Sequence, residues 1–265
     1  MDSILDVCPE LEDHCGLTIY VDAGNDEWVK DEKPTHRLRQ VVQSQQLFNN
    51  IVISGSTGVS AENASALSSI LQHELGYERK RIGLLLPNHK VLSNNFGFVI
   101  IPSVLNSKNP YYHHEIAQNV APALPELRFS GVVPISLEYL LVEPAEHTTV
   151  GRVVDPDIIG REDFEKARYY SDLANQLGFR TMYLEAGSGA PQTVPAGIVR
   201  AVRERFNGIL TVGGGLKTAD DVYGKLAAGA TLVTVGDILE KTSDVPGRLQ
   251  FLHQGVERAN AERRK

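Results

Sequence analysis

Short apolar runs alternate regularly with longer amphipathic ones along this chain, and this pattern limits the folds that it can adopt. Most of the short runs are continuous and rich in Val, Ile and Leu, which is typical of parallel strands buried on both faces. We predict eight strands, over residues 17–22, 51–54, 81–86, 96–102, 136–142, 181–185, 208–212 and 231–235. Helices are predicted between most of them and after the last, over residues 34–48, 61–74, 111–119, 162–177, 195–206, 218–228 and 244–261.

Eight strands with intervening helices in about 250 residues predict an α/β fold of the (β/α)8 TIM-barrel type. The third connection, residues 87–95, is too short for a regular helix, so we expect a loop there. A doubly wound open sheet is the alternative, but Ala23-Gly24-Asn25 follows the first strand in place of the G-x-G-x-x-G fingerprint. No Gly/Ser-rich or Pro-rich linker divides the chain, and we expect residues 1–265 to form a single TIM-barrel domain.

Composition and charge exclude several classes of protein. The 265 residues carry 26 Lys+Arg against 33 Asp+Glu, a net charge of −7, so nucleic acid is not an expected partner. No apolar stretch reaches the roughly 18 residues of a spanning helix. Two cysteines, Cys8 and Cys15, do not make a disulfide framework, and with no signal-peptide pattern we expect a cytoplasmic protein.

Glycine turns follow the last two predicted strands, where TIM barrels recurrently bind phosphate. Gly213, Gly214 and Gly215 follow strand 7, and Gly236 with Asp237 follows strand 8. Glycines let backbone N–H groups approach an anion closely, and a following helix N-terminus adds partial positive charge. We therefore predict a phosphate site at these turns, with the backbone N–H of Asp237 rather than its carboxylate facing the anion.

Two further strand ends carry side chains suited to chemistry. Tyr183 and Glu185 share one face of strand 6, and Glu185 ends the strand, where a carboxylate predicts a partner or a base for a ligand hydroxyl. Asp22 ends strand 1, and Ser56 follows strand 2. An Asp and a hydroxyl from neighbouring strand ends can form a Mg²⁺ site, although Asp22 could equally cap its own loop.

Several motifs together resemble one family, the geranylgeranylglyceryl phosphate synthases and their bacterial heptaprenylglyceryl phosphate relatives, which are TIM-barrel prenyltransferases. The motifs are GSTGVS at 55–60, PSVLNSKNPYY at 102–112, YLEAGSGAP at 183–191, VGGGL at 212–216 with Gly236-Asp237, and more weakly LLVEP at 140–144. Family members often carry Lys two residues before the first-strand Asp or Pro just after it, and here those positions hold Tyr20 and Ala23.

The resemblance implies a Mg²⁺-dependent prenyltransferase of ether-lipid and phospholipid biosynthesis. It would join an allylic prenyl diphosphate of the geranylgeranyl type to sn-glycerol 1-phosphate, giving a prenylglyceryl phosphate ether and pyrophosphate. It also implies a homo-oligomer and leaves room for peripheral membrane contact during product release.

The site residues follow from the same resemblance. Asp22 and Ser56 match the metal and diphosphate positions, and Glu185 and Tyr183 match the catalytic ones. The glycerol-phosphate site would comprise Tyr183, Leu184, Glu185, Ala186, Gly187, Ser188, Gly189, Gly213, Gly214, Gly215, Gly236 and Asp237. Ser103, Asn106 and Asn109 would line the prenyl side.

Three alternatives stay open at the level of sequence. A related prenyltransferase could use another phosphorylated acceptor such as 3-phosphoglycerate. A phosphosugar isomerase, lyase or synthase could use the same phosphate loops, but it would need an inward Lys or paired carboxylates at the strand ends. A non-catalytic barrel could bind phosphate without turnover.

Overall fold

The computed structural model describes residues 3–55 and 58–264. Within these ranges eight parallel strands close into a barrel, as the alternating pattern predicts. Each strand pairs with the next along the chain, and the last closes onto the first, with Gly16 opposite Leu232 and Ile19 opposite Val235. The barrel strands are β1 (Gly16–Asp22), β2 (Asn50–Ser54), β3 (Ile82–Leu85), β4 (Phe98–Ser103), β5 (Val133–Leu141), β6 (Thr181–Glu185), β7 (Ile209–Gly213) and β8 (Leu232–Val235).

Strand alternation divides the apolar side chains into two cores. Tyr139 of β5 and Tyr183 of β6 belong to the cluster inside the barrel. Their neighbours Leu140 and Leu184 belong to the cluster between the barrel and its helices. Because both faces are covered, the strands are apolar throughout, which is why the sequence shows continuous rather than alternating runs.

The α-helices surround the barrel in sequence order. They are α1 (His36–Gln43), α2 (Ala61–Ser69), α3 (Glu115–Val120), α4 (Leu124–Phe129), α5 (Thr149–Val154), α6 (Phe164–Gln176), α7 (Ala196–Arg203), α8 (Ala219–Ala227), α9 (Asp237–Glu240) and α10 (Val245–Arg263). The third connection holds a single 3-10 turn, His89–Val91, so the expected loop is confirmed. Over the described ranges, every helix is too short or too polar to cross a lipid bilayer.

Some elements were not predicted. The segment expected as one helix over 111–119 is a 3-10 turn followed by α3, and the short helices α4, α5 and α9 lie in stretches for which no helix was predicted. Two 3-10 turns, Ile4–Asp6 and Pro9–Glu12, cover the amino-terminal end of the barrel. Ile4, Cys8 and Leu11 join the interior cluster there, so the opposite end is the open one.

Candidate active site

A cavity of about 280 Å³ opens at the carboxyl ends of the strands. Its polar half contains Tyr20, Asp22, Ser54, Gly55, Tyr139, Tyr183, Glu185, Ser188, Gly214, Gly215, Thr234, Gly236, Asp237 and Glu240. Its apolar half contains Leu85, Leu86, Pro87, Pro102, Val104, Tyr112, Val150, Val153 and Val154, and two further apolar residues, Leu216 and Val235, lie beside the glycine turns. A cavity with these two halves suits a ligand that has an anionic head and a hydrocarbon tail.

Glu185 is the most buried carboxylate of the cavity, with 7% of its surface exposed. Its Oε2 accepts a hydrogen bond of 2.9 Å from the Tyr139 hydroxyl, and its Oε1 accepts one from the backbone N–H of Gly187. Burial raises the pKa of Glu185, and these two hydrogen bonds oppose the rise. Each oxygen keeps a further lone pair, so the carboxylate can still accept a proton from a ligand hydroxyl.

Tyrosines surround Glu185 on the inner wall. The rings of Tyr139 and Tyr183 stack at 4.9 Å with an interplanar angle of 3°, and Tyr20 stacks on the other side of Tyr183 at 6.0 Å. The Tyr183 hydroxyl lies 2.5 Å from Thr234 Oγ1, which fixes the ring across the barrel. Burial raises the pKa of the Tyr139 and Tyr183 hydroxyls well above the usual range, so both stay protonated donors.

The glycine turns after β7 and β8 present backbone N–H donors to the cavity. Gly214 and Gly215 have φ values of +83° and +71°, a region that L side chains rarely adopt. Among the described residues, the backbone N–H groups with no hydrogen-bond partner at these turns are those of Gly214, Gly215, Gly236 and Asp237. Unpaired N–H groups beside a cavity are available to phosphate oxygens.

The Asp237 side chain is turned into an ion pair. Its Oδ2 lies 2.8 Å from the ammonium of Lys241, the residue that directly follows α9. The pairing offsets the negative charge beside the glycine turns and leaves the backbone N–H as the group that can meet an anion.

Asp22 lies at the end of β1, and its carboxylate lines the cavity. Its Oδ1 accepts a hydrogen bond of 2.8 Å from the Gly24 N–H, and burial raises its pKa. Glu240 of α9 lines the same region, and its pKa is raised by burial and, to a smaller degree, by the charge of Asp22. Ser56, the other predicted metal ligand, lies outside the described residues.

These residues fit a Mg²⁺ ion that is shared with a ligand. In the described ranges no group of three or more His, Cys, Asp or Glu side chains could hold a metal by itself. Mg²⁺ is usually bound through one or two carboxylates plus substrate phosphates. The second oxygen of Asp22 has no hydrogen-bond partner among the residues described, so it could serve this purpose.

The remaining residues of the predicted glycerol-phosphate segment divide by strand parity. Ser188 lines the cavity, whereas Leu184 and Ala186 point away from it into the outer core. Gly187 adopts a φ of +101°, and a side chain there would collide with Thr148. Gly213 leaves room for the Tyr183 hydroxyl, which would lie 1.8 Å from a Cβ at this position.

The polar side chains expected on the prenyl side do not line the cavity, which corrects that expectation. Ser103 faces outward on β4 and donates a 2.9 Å hydrogen bond to His113 O. Asn106 is buried and bonds through its amide to both backbone groups of Leu141. Asn109 caps the turn Pro110–Tyr112 by accepting the Tyr111 N–H. Their hydrogen-bonding groups are therefore used within the fold.

The structure also adds residues that the sequence did not single out for the site. Thr234 and Glu240 enter the cavity from β8 and α9, and Tyr20 enters from β1. Tyr139 could belong to a groove or to the core on sequence grounds, and it contacts Glu185 directly. Of these residues, Tyr20 could have been found from the sequence. It lies two residues before Asp22, so the two side chains share the inward face of β1.

The chain is similar to known proteins in family, in sequence and in structure. A model of the PcrB family matches residues 30–250. The geranylgeranylglyceryl phosphate synthase of Methanothermobacter marburgensis is 33% identical over 206 residues, which is 76% of this chain and 82% of that protein. The same enzyme of Thermococcus kodakarensis is 33% identical over 209 residues, or 78% and 80%.

Among solved structures, (S)-3-O-geranylgeranylglyceryl phosphate synthase from Thermoplasma acidophilum, in complex with sn-glycerol-1-phosphate, aligns with a TM-score of 0.82. The sequence identity is 24%, and the alignment covers 97% of this chain and 100% of that one. This likeness supports the TIM-barrel fold.

Proposed function

The chain belongs to the PcrB family, and from this premise we propose that it is a prenyltransferase that joins a geranylgeranyl-type diphosphate to sn-glycerol 1-phosphate. The products would be a prenylglyceryl phosphate ether and pyrophosphate. Its curated relatives are named for this activity.

The observation that carries the proposal is the division of the cavity. Unpaired N–H groups of the two glycine turns meet Glu185 at one end, and an apolar wall of aliphatic and proline side chains forms the other. A phosphate on the turns would place a glycerol hydroxyl beside Glu185, while the wall would take the hydrocarbon chain of the donor.

The residues of the polar half suit a substitution at an allylic carbon. Fixing the acceptor phosphate on the turns would hold its hydroxyl near the reacting carbon, which removes much of the entropic cost of a bimolecular reaction. Glu185 would accept the hydroxyl proton as the ether C–O bond forms and the bond from the allylic carbon to the diphosphate breaks. The Tyr139 ring, which lines the cavity, would stabilise positive charge that develops on the prenyl group, and Tyr183, enclosed between Tyr20 and Tyr139, would orient the acceptor.

We propose that Asp22, with Ser56, holds Mg²⁺ beside the diphosphate. When bound, the ion would neutralise charge on the leaving pyrophosphate. Asp22 contributes a carboxylate oxygen at the cavity wall, and Glu240 keeps a second carboxylate nearby.

The charge of the cavity favours glycerol phosphate over a phosphorylated acid. Among the described residues, the lining includes the four carboxylates of Asp22, Glu185, Asp237 and Glu240 and no Lys, Arg or His. The carboxylate of 3-phosphoglycerate would be repelled by Asp22, Glu185 and Glu240, and the nearby ammonium of Lys241 is already paired with Asp237, whereas glycerol carries neutral hydroxyls. The same lack of an inward Lys in the described lining disfavours Schiff-base phosphosugar chemistry.

A pyrophosphate-release assay tests the proposed function. Prenyl diphosphates of several lengths are crossed with sn-glycerol 1-phosphate, sn-glycerol 3-phosphate and 3-phosphoglycerate, with and without Mg²⁺. We expect release with sn-glycerol 1-phosphate, and kcat/KM at least ~10-fold lower with 3-phosphoglycerate. Phosphate binding without pyrophosphate release for any pair would instead indicate a non-catalytic barrel.

Gly214→Ala should weaken the binding of glycerol phosphate. At this φ of +83° an alanine is strained, and its Cβ would lie 2.5 Å from Glu185 Oε1 and 2.6 Å from Gly187 N. We expect the dissociation constant for sn-glycerol 1-phosphate, measured by calorimetry, to rise by at least ~10-fold, the equivalent of about 1.4 kcal/mol.

Gly178→Ala is a matched control, because Gly178 has the same φ of +83° but nothing within 4 Å of the added Cβ. Both variants should lose roughly 1–2 kcal/mol of stability from the backbone conformation. Only Gly214→Ala should lose binding, and equal binding losses would contradict the assignment of the turn.

A further inference from the structure

The segment that follows β4 supplies part of the apolar wall without exposing its polar side chains to the cavity. Val104 and Tyr112, at the two ends of this segment, line the cavity. The Val104 N–H donates a 2.7 Å hydrogen bond to Tyr112 O, so the two ends are tied together. The wall residue Val154 is tied to the same segment, because Ser107 Oγ donates to its carbonyl oxygen at 2.5 Å.

Glu138 contacts this segment from the outer side of the sheet. It lies on the outward face of β5, opposite Ser103 of β4, and none of its surface is exposed. Its Oε1 accepts a 3.0 Å hydrogen bond from the N–H of Leu105, the residue after Val104. Its Oε2 has no hydrogen-bond partner in the described part of the chain.

A carboxyl group in this position is costly unless it is uncharged. In the described ranges no cationic side chain acts on Glu138, and burying an unpaired carboxylate disfavours the folded state strongly. Burial raises the pKa of Glu138 well above its usual range, and the Leu105 N–H and the nearby Ser103 hydroxyl oppose this only in part. An aliphatic residue would fill the same layer at lower cost, so the hydrogen bond to Leu105 is the specific feature that Glu138 provides.

We propose that Glu138 is a positioning residue for the prenyl donor: its hydrogen bond from the Leu105 N–H fixes the backbone there and so holds Val104 and Tyr112 in the apolar wall. This inference rests on the proposed function, because it assigns the wall to the prenyl chain. Glu138 lies behind the sheet and touches neither substrate.

Steady-state kinetics of Glu138→Ala and Glu138→Gln test the proposal. Loss of the hydrogen bond in Glu138→Ala should raise KM for the prenyl diphosphate by ~10-fold and leave KM for glycerol phosphate within about twofold. Glu138→Gln keeps the acceptor oxygen without a charge and should restore KM for the donor to within about threefold of wild type. Equal rises in both KM values, or a Gln variant as impaired as the Ala variant, would overturn the proposal.

Hydrogen exchange separates this inference from the proposed function. The Leu105 amide should exchange faster in Glu138→Ala and at the wild-type rate in Glu138→Gln. A wild-type protein with no prenyltransfer would refute the proposed function, whereas active wild type with unchanged exchange and donor KM in Glu138→Ala would refute the role of Glu138 alone.

The pH dependence of stability gives a readout that also applies if a variant is inactive. With its pKa raised above about 4.5, Glu138 keeps its proton in the folded state after the unfolded chain has lost it, so its contribution to wild-type stability falls as pH rises above that value. The Tm of Glu138→Gln relative to wild type should therefore increase between about pH 5 and 7.

Among the described residues, the other titratable side chain that interacts electrostatically with Glu138 is Tyr170 of α6. Its pKa of about 12 keeps it neutral between pH 5 and 7. Glu126→Gln, at an exposed position of α4, is the matched control and should show no such trend. If the difference in Tm between Glu138→Gln and wild type does not change with pH, the carboxyl of Glu138 is not held in its neutral form.

Discussion

Glu185→Gln is expected to lower kcat by about 10²–10⁴-fold, the usual contribution of general base catalysis. The amide keeps the size of the side chain and an oxygen acceptor for the Tyr139 hydroxyl, which lies 2.9 Å from Oε2 in the native protein. It removes the group that would accept the proton of the acceptor hydroxyl. KM for sn-glycerol 1-phosphate should change little, because the glycine turns hold the phosphate.

The pH profile distinguishes a base from a binding group. Burial raises the pKa of Glu185, and the base must be ionised, so the acid limb of kcat/KM in the wild type should lie above the ordinary glutamate value of about 4.5. Tyr139→Phe removes a hydrogen bond that lowers this pKa, so the limb should move to higher pH. In Glu185→Gln the limb should disappear.

A kcat within about threefold of wild type, with KM for the acceptor raised instead, would make Glu185 a binding residue only. Circular dichroism and Tm of each variant establish that the comparison concerns folded protein.

Asp22→Asn is expected to lower turnover by at least ~10²-fold while glycerol phosphate binding stays nearly intact. Several kcal/mol of charge stabilisation at the leaving group would be lost with the metal ligand, and each 1.36 kcal/mol is tenfold in rate. Asparagine keeps an oxygen for the Gly24 N–H, which Asp22 Oδ1 now accepts at 2.8 Å, so the loop stays capped. Turnover is measured across a Mg²⁺ titration, and glycerol phosphate binding by calorimetry.

Asp163→Asn is the matched control, since Asp163 Oδ1 also accepts a backbone N–H, that of Lys166, at the start of α6 and outside the cavity lining. It should leave the Mg²⁺ titration unchanged. Wild-type turnover in Asp22→Asn, or full wild-type activity in excess chelator, would reduce Asp22 to a loop cap.

The fold was predictable because its signals are local. A strand buried on both faces must be apolar along its whole length, and β6, with TMYLE entirely buried, illustrates this directly. Helix starts are equally local, because a serine just before a helix can cap it: Ser60 Oγ accepts the Asn63 N–H at the start of α2. The short helices α4 and α5 were missed because six residues contain too few turns for a periodic pattern.

The parts of the site whose chemistry lies in one stretch of chain could be predicted from the sequence. Consecutive glycines at 213–215 permit backbone conformations that expose N–H groups, and Glu185 follows from its place at the end of an apolar strand. Both inferences need only the neighbouring residues and the rule that parallel strand ends share one edge.

Tertiary structure alone decided which other side chains join them. Barrel closure pairs β1 with β8 and sets Tyr20 against Tyr183, which lie far apart in the chain, and it brings Thr234 to the Tyr183 hydroxyl. The same closed sheet places Ser103 on the outer face and brings the Asn106 amide into hydrogen bonding with the backbone of Leu141. The physical reason is that side-chain direction depends on the strand register around a closed sheet, and a change of one residue exchanges the cavity face for the outer core.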